Sequence, residues 1–135
     1  PAEHNGTFRG NTHAFVTGRV ALEKFWADDG FQNDVQHKSA ILTTGLQAIA
    51  EIVPGARLKG RGMMQGVDVG GGETASAICA RAFEKGLIIE TSGADDEVVK
   101  VLAPLTIPEE TLRKGLNILL DAARDVTVQT KVAAE

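Results

Sequence analysis

Residues 56–69 read ARLKGRGMMQGVDV, and this stretch decides the fold expected for the chain. Its apolar residues recur among small and polar ones in two strand-like runs, residues 56–59 and 63–69: Leu58, Met64, Val67 and Val69. Glycines on both sides of Arg61 interrupt these runs. The pattern therefore predicts a hairpin or a bulged strand broken around residues 60–62.

Helical periodicity precedes this stretch. A first helix is predicted from Asn11 or Thr12 to about residue 28, ending at Gly30, and a second over about residues 33–53, ending at Pro54-Gly55. Aromatic and aliphatic residues of the first helix are expected to face inward: Phe15, Leu22, Phe25 and Trp26.

Two helices and two strands are predicted after the stretch. A helix over residues 73–85 has an apolar face and ends at Gly86: Ala75, Ile78, Cys79, Ala82 and Phe83. Residues 87–91 and 98–102 are predicted to form paired strands. A capping-box pattern, Thr106 followed by Glu109, starts a last helix that reaches about residue 127, and the tail beyond it is expected to fray.

These elements predict an α+β fold. Two helices lead, and a sheet of three or four strands follows with two helices packed on one face. The two-layer arrangement is interrupted by no internal repeat or low-complexity tract.

The composition excludes several classes of protein. With 135 residues, 43% hydrophobic content, 24% charged content and a net charge of −4, the chain is typical of one folded domain. We expect no nucleic-acid partner because the charge is mildly acidic, and no membrane partner because no apolar run is long enough. Cys79 is expected to be a buried, reduced thiol in a cytoplasmic protein. No metal is predicted, since His4, His13 and His37 lack ligand spacing.

The segment from Glu3 to Asn11 is the first candidate site. Glycines beside the Thr7 hydroxyl would let an anion approach the backbone N–H groups at a helix start. The alternative is an ordinary turn, with Asn11 or Thr12 as the helix N-cap. Because the chain opens at Pro1, inside this turn, we also expect it to be the C-terminal part of a longer protein.

Four segments together resemble the class III pyridoxal-phosphate aminotransferases. In order they read HNGTFRGN, KGRGMMQG, KGLII and LAPLTI, at residues 4–11, 59–66, 85–89 and 102–107. The resemblance covers nearly the whole chain and places it at the C-terminal end of such an enzyme. Residues 3–11 and 59–65 are most similar to the branch that makes 2,4-diaminobutyrate for ectoine biosynthesis.

The resemblance implies the C-terminal part of a fold-type I enzyme. Residues 1–54 would end the large cofactor-binding domain, and residues 55–135 would form the small domain. The family's catalytic lysine would lie upstream, so no catalytic residue is assigned to this chain. Thr7, with Gly6 and Phe8, would bind the phosphate of pyridoxal 5′-phosphate in the neighbouring subunit. The missing N-terminal part and a second copy, in a homodimer or higher oligomer, are therefore the expected partners.

The second candidate site is Lys59 with Arg61. Many members of the family hold the substrate carboxylate with an arginine where this chain has Lys59, and Arg61 follows at a variable position. Three roles remain open: Lys59 acts as a point charge, Arg61 takes over, or the clamp comes from elsewhere. Residues two apart on a strand share a face, so both could reach one anion, or both could be solvated edge charges.

The implied activity is amino transfer between small amino acids and 2-oxo acids. By resemblance, L-glutamate and L-aspartate 4-semialdehyde would give 2-oxoglutarate and L-2,4-diaminobutyrate, and the isolated chain is expected to be inactive. Another class III ω-aminotransferase, acting on ornithine or 4-aminobutyrate, is one alternative. A non-catalytic α+β dimerisation module is the other.

Overall fold

The computed structural model describes residues 6–133, apart from the side chains of Thr7 and residues 130–133. The elements follow in this order: a 3₁₀ helix Thr7–Gly10, α1 Thr12–Phe25, α2 Gly30–Ile52, β1 Arg57–Arg61, β2 Met64–Asp68, α3 Gly72–Glu84, β3 Glu90–Ser92, β4 Val98–Leu102 and α4 Glu109–Ala133. Helices combined with one small antiparallel sheet confirm the α+β class. The chain divides into two units between Asp34 and Val35, and the domain boundary at residue 54 stays a prediction.

The first unit contains α1. The side-chain oxygen of Asn11 accepts hydrogen bonds from the N–H groups of His13 and Ala14 at 3.1 and 3.4 Å, which confirms the predicted N-cap. The predicted inward face is wrong, because α1 contains no buried residue and Phe15 and Leu22 are 62% and 63% exposed. Periodicity shows only that a face is apolar, whereas burial needs an opposing surface.

The connection from α1 to α2 lies about three residues earlier than predicted, at residues 26–29. Gly30 does not end the first helix but begins α2, and its N–H donates to the Asp28 carboxylate at 2.8 Å. The Phe31 ring packs against Phe25 and Trp26, with centroid distances of 4.9 and 5.2 Å. A side-chain cap and aromatic contacts therefore replace the glycine stop that the sequence indicated.

The second unit contains a four-stranded antiparallel sheet in the order β1-β2-β4-β3. Arg61 pairs with Met64, so Gly62 and Met63 form a two-residue turn. Gly62 has a φ of 61°, which a glycine adopts without strain. The predicted hairpin is confirmed, but its break lies one residue later and Gly60 is inside β1. The pairing of β3 with β4 is confirmed, although β3 begins only at Glu90.

The core of this unit joins α2, α3 and α4 to β2 and β4. Its largest fully buried side chains are Leu42, Leu46, Ile78, Leu119 and Val67. Two expectations for α3 are wrong: Phe83 is 67% exposed and Cys79 is only half-buried, because both lie beside the narrow face made by Ala75, Ile78 and Ala82.

The last helix is longer than the sequence indicated. It begins at Glu109 and continues to Ala133, so the prediction of a frayed tail after residue 127 is wrong for residues 128–133. Burial of Ala122, Ala123 and Val126 extends the packed face toward this end. None of the helices within residues 6–133 has the length and apolar character needed to cross a membrane.

Candidate functional site

The N-terminal candidate site is an exposed turn that leads into α1. Gly6 has extended backbone angles, φ −121° and ψ 121°, and its carbonyl accepts the Arg9 N–H at 3.3 Å. Phe8 is 87% exposed, and its carbonyl accepts the Asn11 N–H at 3.2 Å. Residues 1–5 and the Thr7 hydroxyl lie outside the described part of the chain.

The chemistry of this turn can be compared with the needs of an anionic group. The first N–H groups of a helix have no acceptor inside it, and the first turn of Thr7–Gly10 carries no acidic residue. A Cβ at Gly6 would meet only the Arg9 side chain, from 3.4 Å, so close packing within the described chain does not require the glycine. An exposed helix start without a carboxylate in its first turn is chemically suited to an anion.

Lys59 lies in a network of charges on β1 and β2. Its Nζ is 3.1 Å from Asp68 Oδ2 and 3.2 Å from Glu97 Oε1. The Arg57 guanidinium approaches the same Asp68 oxygen at 2.9 and 3.0 Å. Asp68 is only 4% exposed, and its other oxygen accepts the Gly70 N–H at 3.0 Å. Two carboxylates therefore already balance the Lys59 ammonium.

The groups of this network stabilise the charged forms of Asp68 and Lys59. The Gly70 N–H, followed by Lys59 and Arg57, lowers the pKa of Asp68 from 3.8 to about 2. Hydrogen bonds to Asp68 and then Glu97 raise the pKa of Lys59 above its usual value of 10.5. Both groups are therefore charged throughout the neutral range.

This network makes acid stability depend on Asp68. Because its pKa is lower in the folded state, its stabilisation is complete above pH 3.8 and is lost as the pH falls toward about 2. We expect Asp68→Asn to melt at a lower temperature at neutral pH and to lose less stability than the wild type between those values. Melting curves at closely spaced pH values would measure both effects.

The control for this experiment is Asp125→Asn. Asp125 also has a lowered pKa, through Arg81 and then Lys85, but lies on α4 outside the Asp68 network. If the melting temperatures of Asp68→Asn and the wild type fell equally with decreasing pH, the role of Asp68 in acid stability would be contradicted.

Arg61 has a different environment at the end of β1. Within residues 6–133, its guanidinium makes no hydrogen bond or ion pair with another side chain. It borders an open pocket of about 460 Å³ whose other lining residues are Met63, Met64, Leu102, Ala103, Pro104 and Leu105. Met64 and Leu102 are neighbours across the sheet and are 64% and 62% exposed. An arginine beside an apolar surface can bind a carboxylate and cover the carbon chain attached to it.

Two polar residues near this pocket were missed from the sequence. Gln65 is 6% exposed and hydrogen-bonds to the Gly62 turn, while Lys38 is 5% exposed and donates to the Leu105 carbonyl at 3.1 Å. Gln65 and Val67 are two residues apart and therefore lie on the same face of the strand. A polar residue among the apolar residues of that face was the sequence feature that could have drawn attention to Gln65. Lys38 gave no comparable signal on its helix.

His37 lies in a surface cluster with Glu109 and Arg113. His37 Nε2 lies 2.9 Å from the Glu109 carboxylate, and Arg113 holds the same carboxylate at 2.7 Å on the surface. Among the residues that the structure describes, no group of three or more His, Cys, Asp or Glu side chains is arranged to hold a metal ion.

Comparison with known proteins identifies the family. Residues 1–123 match the model for class III aminotransferases, and the chain therefore belongs to that family. Its members are enzymes that depend on pyridoxal 5′-phosphate.

Two curated relatives show which members of the family have sequences similar to this chain. The chain is 51% identical over 123 residues to the diaminobutyrate–2-oxoglutarate transaminase of Halomonas elongata, with 88% of this chain and 29% of that protein covered. The corresponding protein of Vibrio cholerae is 51% identical over 121 residues, with the same coverage of 88% and 29%. The chain thus spans about three-tenths of the length of these relatives.

A solved structure supports the fold independently. The N-acetylornithine aminotransferase from Stenotrophomonas maltophilia superimposes with a TM-score of 0.67 at 28% sequence identity. The match covers 90% of this chain and 32% of that one.

Proposed function

We propose that this chain is the C-terminal part of a transaminase that moves the amino group of L-glutamate to L-aspartate 4-semialdehyde. The products are 2-oxoglutarate and L-2,4-diaminobutyrate, a precursor for ectoine. The observation that carries the proposal is 51% identity to the Halomonas elongata transaminase across 88% of the chain. Pyridoxal 5′-phosphate, when bound, takes up the amino group of the donor and delivers it to the acceptor. This metabolic role implies a cytoplasmic enzyme.

The experiment that tests the function is an assay of the complete enzyme. Purified full-length protein with cofactor, glutamate and aspartate semialdehyde is expected to produce diaminobutyrate, whereas the 135-residue chain is expected to produce none. Production by the short chain would contradict its assignment as a part that lacks the catalytic lysine.

A second candidate is another class III ω-aminotransferase. The likeness to an N-acetylornithine aminotransferase at 28% identity favours this alternative. Parallel assays with diaminobutyrate, ornithine and 4-aminobutyrate as amino donors separate the two. Preference for ornithine or 4-aminobutyrate would replace the proposed substrate while leaving the family unchanged.

In the proposed enzyme, the turn at Thr7 binds the cofactor phosphate. The Thr7 hydroxyl and the N–H groups of Thr7 and Phe8 donate hydrogen bonds, and Gly6 leaves room for the phosphate oxygens. The phosphate belongs to the neighbouring subunit, so each site is completed by two chains of a homodimer or a higher homo-oligomer. The exposure of Phe8 and the absence of an acidic residue from the first turn support this role.

Replacing Thr7 with alanine tests the phosphate site. Loss of a hydroxyl that donates to a charged phosphate is expected to weaken cofactor retention in the full-length enzyme by about 1.5–3 kcal/mol. Equilibrium dialysis against pyridoxal phosphate measures the change. Thr17→Ala is the control, because the Thr17 hydroxyl donates to the His13 carbonyl within α1. Equal retention by both variants would favour the non-catalytic dimerisation module.

Arg61 rather than Lys59 is proposed to hold the substrate carboxylate. Asp68 and Glu97 lie within 3.2 Å of Lys59, so an incoming carboxylate would have to compete with two anions already in place. Arg61 faces no such competitor among residues 6–133 and borders the apolar pocket. Its planar donors match a carboxylate in two parallel hydrogen bonds.

Alanine variants distinguish the two cations. Arg61→Ala in the full-length enzyme is expected to raise KM for glutamate about tenfold to hundredfold, because a charged bidentate contact is lost. Lys59→Ala is expected to have a smaller effect on KM. Steady-state kinetics at several glutamate concentrations provides the comparison, and the opposite order would assign the clamp to Lys59.

A further inference from the structure

We infer that Gln65 is a positioning residue, which holds the Gly62 turn and thereby orients Arg61 toward its pocket. The inference rests on the proposed role of Arg61 in carboxylate binding. Gln65 is not one of the residues that line the pocket, and its side-chain hydrogen bonds go to Gly62, Thr43 and Ser39 rather than to Arg61, so its effect on Arg61 must pass through the backbone.

The hydrogen bonds of Gln65 connect the hairpin to α2. Its Nε2 donates to the Gly62 carbonyl at 2.6 Å, inside the two-residue turn. Its Oε1 accepts the Thr43 hydroxyl at 3.1 Å, and Nε2 also approaches the Ser39 carbonyl at 3.5 Å. Because the amide nitrogen faces two carbonyls and the oxygen faces a hydroxyl, the orientation of the carboxamide is defined by its partners.

The burial of Gln65 supports a specific structural role for its carboxamide. It is 6% exposed on β2, where the alternate residue Val67 is 1% exposed and apolar. An apolar side chain of similar length would pack there without needing hydrogen-bond partners. A buried polar network is useful where it fixes one conformation among several.

Glycines with positive φ flank Arg61 on both sides. Arg61 lies between Gly60 and Gly62, whose φ values are 88° and 61°. Glycine permits both signs of φ at little cost, so an arginine between two glycines is not oriented by its own chain. The bond from Gln65 to Gly62 supplies the missing constraint on one side, and pairing of Arg61 with Met64 supplies it on the other.

The test compares Gln65→Met with the wild type in the full-length enzyme. Methionine keeps the approximate length and volume of the side chain but removes its hydrogen bonds to Gly62, Thr43 and Ser39. We expect faster amide hydrogen exchange in residues 60–66, and an increase of about fivefold in KM for glutamate with kcat changed less than about twofold. Exchange in α4 should stay unchanged.

Ile49→Val is the matched control for general destabilisation. Ile49 is 2% exposed on α2, and the shorter side chain weakens the core without touching the turn. A lower melting temperature with normal KM in this variant, beside a raised KM in Gln65→Met, supports the inference. Equal increases of KM in both variants would overturn it.

Two further variants keep the outcome decisive. If Gln65→Met does not fold, Thr43→Val removes the hydroxyl that lies 3.1 Å from Gln65 Oε1 and 2.9 Å from the Ser39 carbonyl, and it should raise KM in the same direction by a smaller factor. Normal KM and normal exchange in Thr43→Val would then overturn the inference. If Arg61→Ala leaves KM unchanged, the proposed carboxylate role fails. If Arg61→Ala raises KM while Gln65→Met does not, only the positioning role fails.

Discussion

Replacing Leu119 with alanine is expected to lower the free energy of unfolding of the chain by about 2–5 kcal/mol. Leu119 is 1% exposed on α4, in the core shared by α2, α3 and the sheet. Truncation removes buried apolar surface and leaves a cavity that rigid helices on several sides cannot fill. Urea denaturation followed by circular dichroism measures the loss.

Leu102→Ala is the control for this effect. The side chain of Leu102 is 62% exposed at the end of β4, so the same chemical change should alter stability by less than about 0.5 kcal/mol. Similar losses from both variants would show that the packing around Leu119 differs from the structure.

Replacing Gly60 with alanine is expected to destabilise the chain by about 2–5 kcal/mol. The φ of 88° is strained for any residue with a side chain, and a Cβ at this position would collide with the Met64 carbonyl of the paired strand. The hairpin must therefore open or shift next to Arg61, the last residue of β1 before the turn. The same urea experiment measures the change.

Gly55→Ala separates the two causes of this destabilisation. Gly55 has a similar φ of 77° but no atom within 4 Å of an added Cβ, so only the backbone strain of about 1–2 kcal/mol applies. A larger loss at Gly60 than at Gly55 assigns the difference to the collision with β2. Equal losses would contradict the tight approach of the two strands.

Much of the secondary structure could be predicted because it depends on local patterns. The hairpin followed from two apolar runs separated by glycines, and Asn11 is a good N-cap wherever its helix packs. The start of α2 could not be predicted in this way. Gly30 has the composition of a helix stop, but the Asp28 carboxylate and the Phe31 contacts make it a helix start.

The candidate site, too, could be predicted only in part from the sequence. The sequence pointed to Lys59 and Arg61 as cations two residues apart, without indicating which of them is already neutralised. That difference depends on Asp68 and Glu97, which lie 9 and 38 positions from Lys59 in the chain and meet it only in the folded sheet. The hydrogen bond from Gln65 to the Gly62 turn likewise depends on the register of β1 against β2.

The sequence by itself determined the α+β class, the hairpin, the cap of α1 and the resemblance to class III aminotransferases, because periodicity, capping and motif order are local properties. Only the tertiary structure decided the burial of Asp68 and Gln65, the exposure of α1, and the contrast between a paired Lys59 and an Arg61 beside an open pocket. Burial and ion pairing arise between residues distant in sequence, and their geometry is set only when the strands and helices pack together.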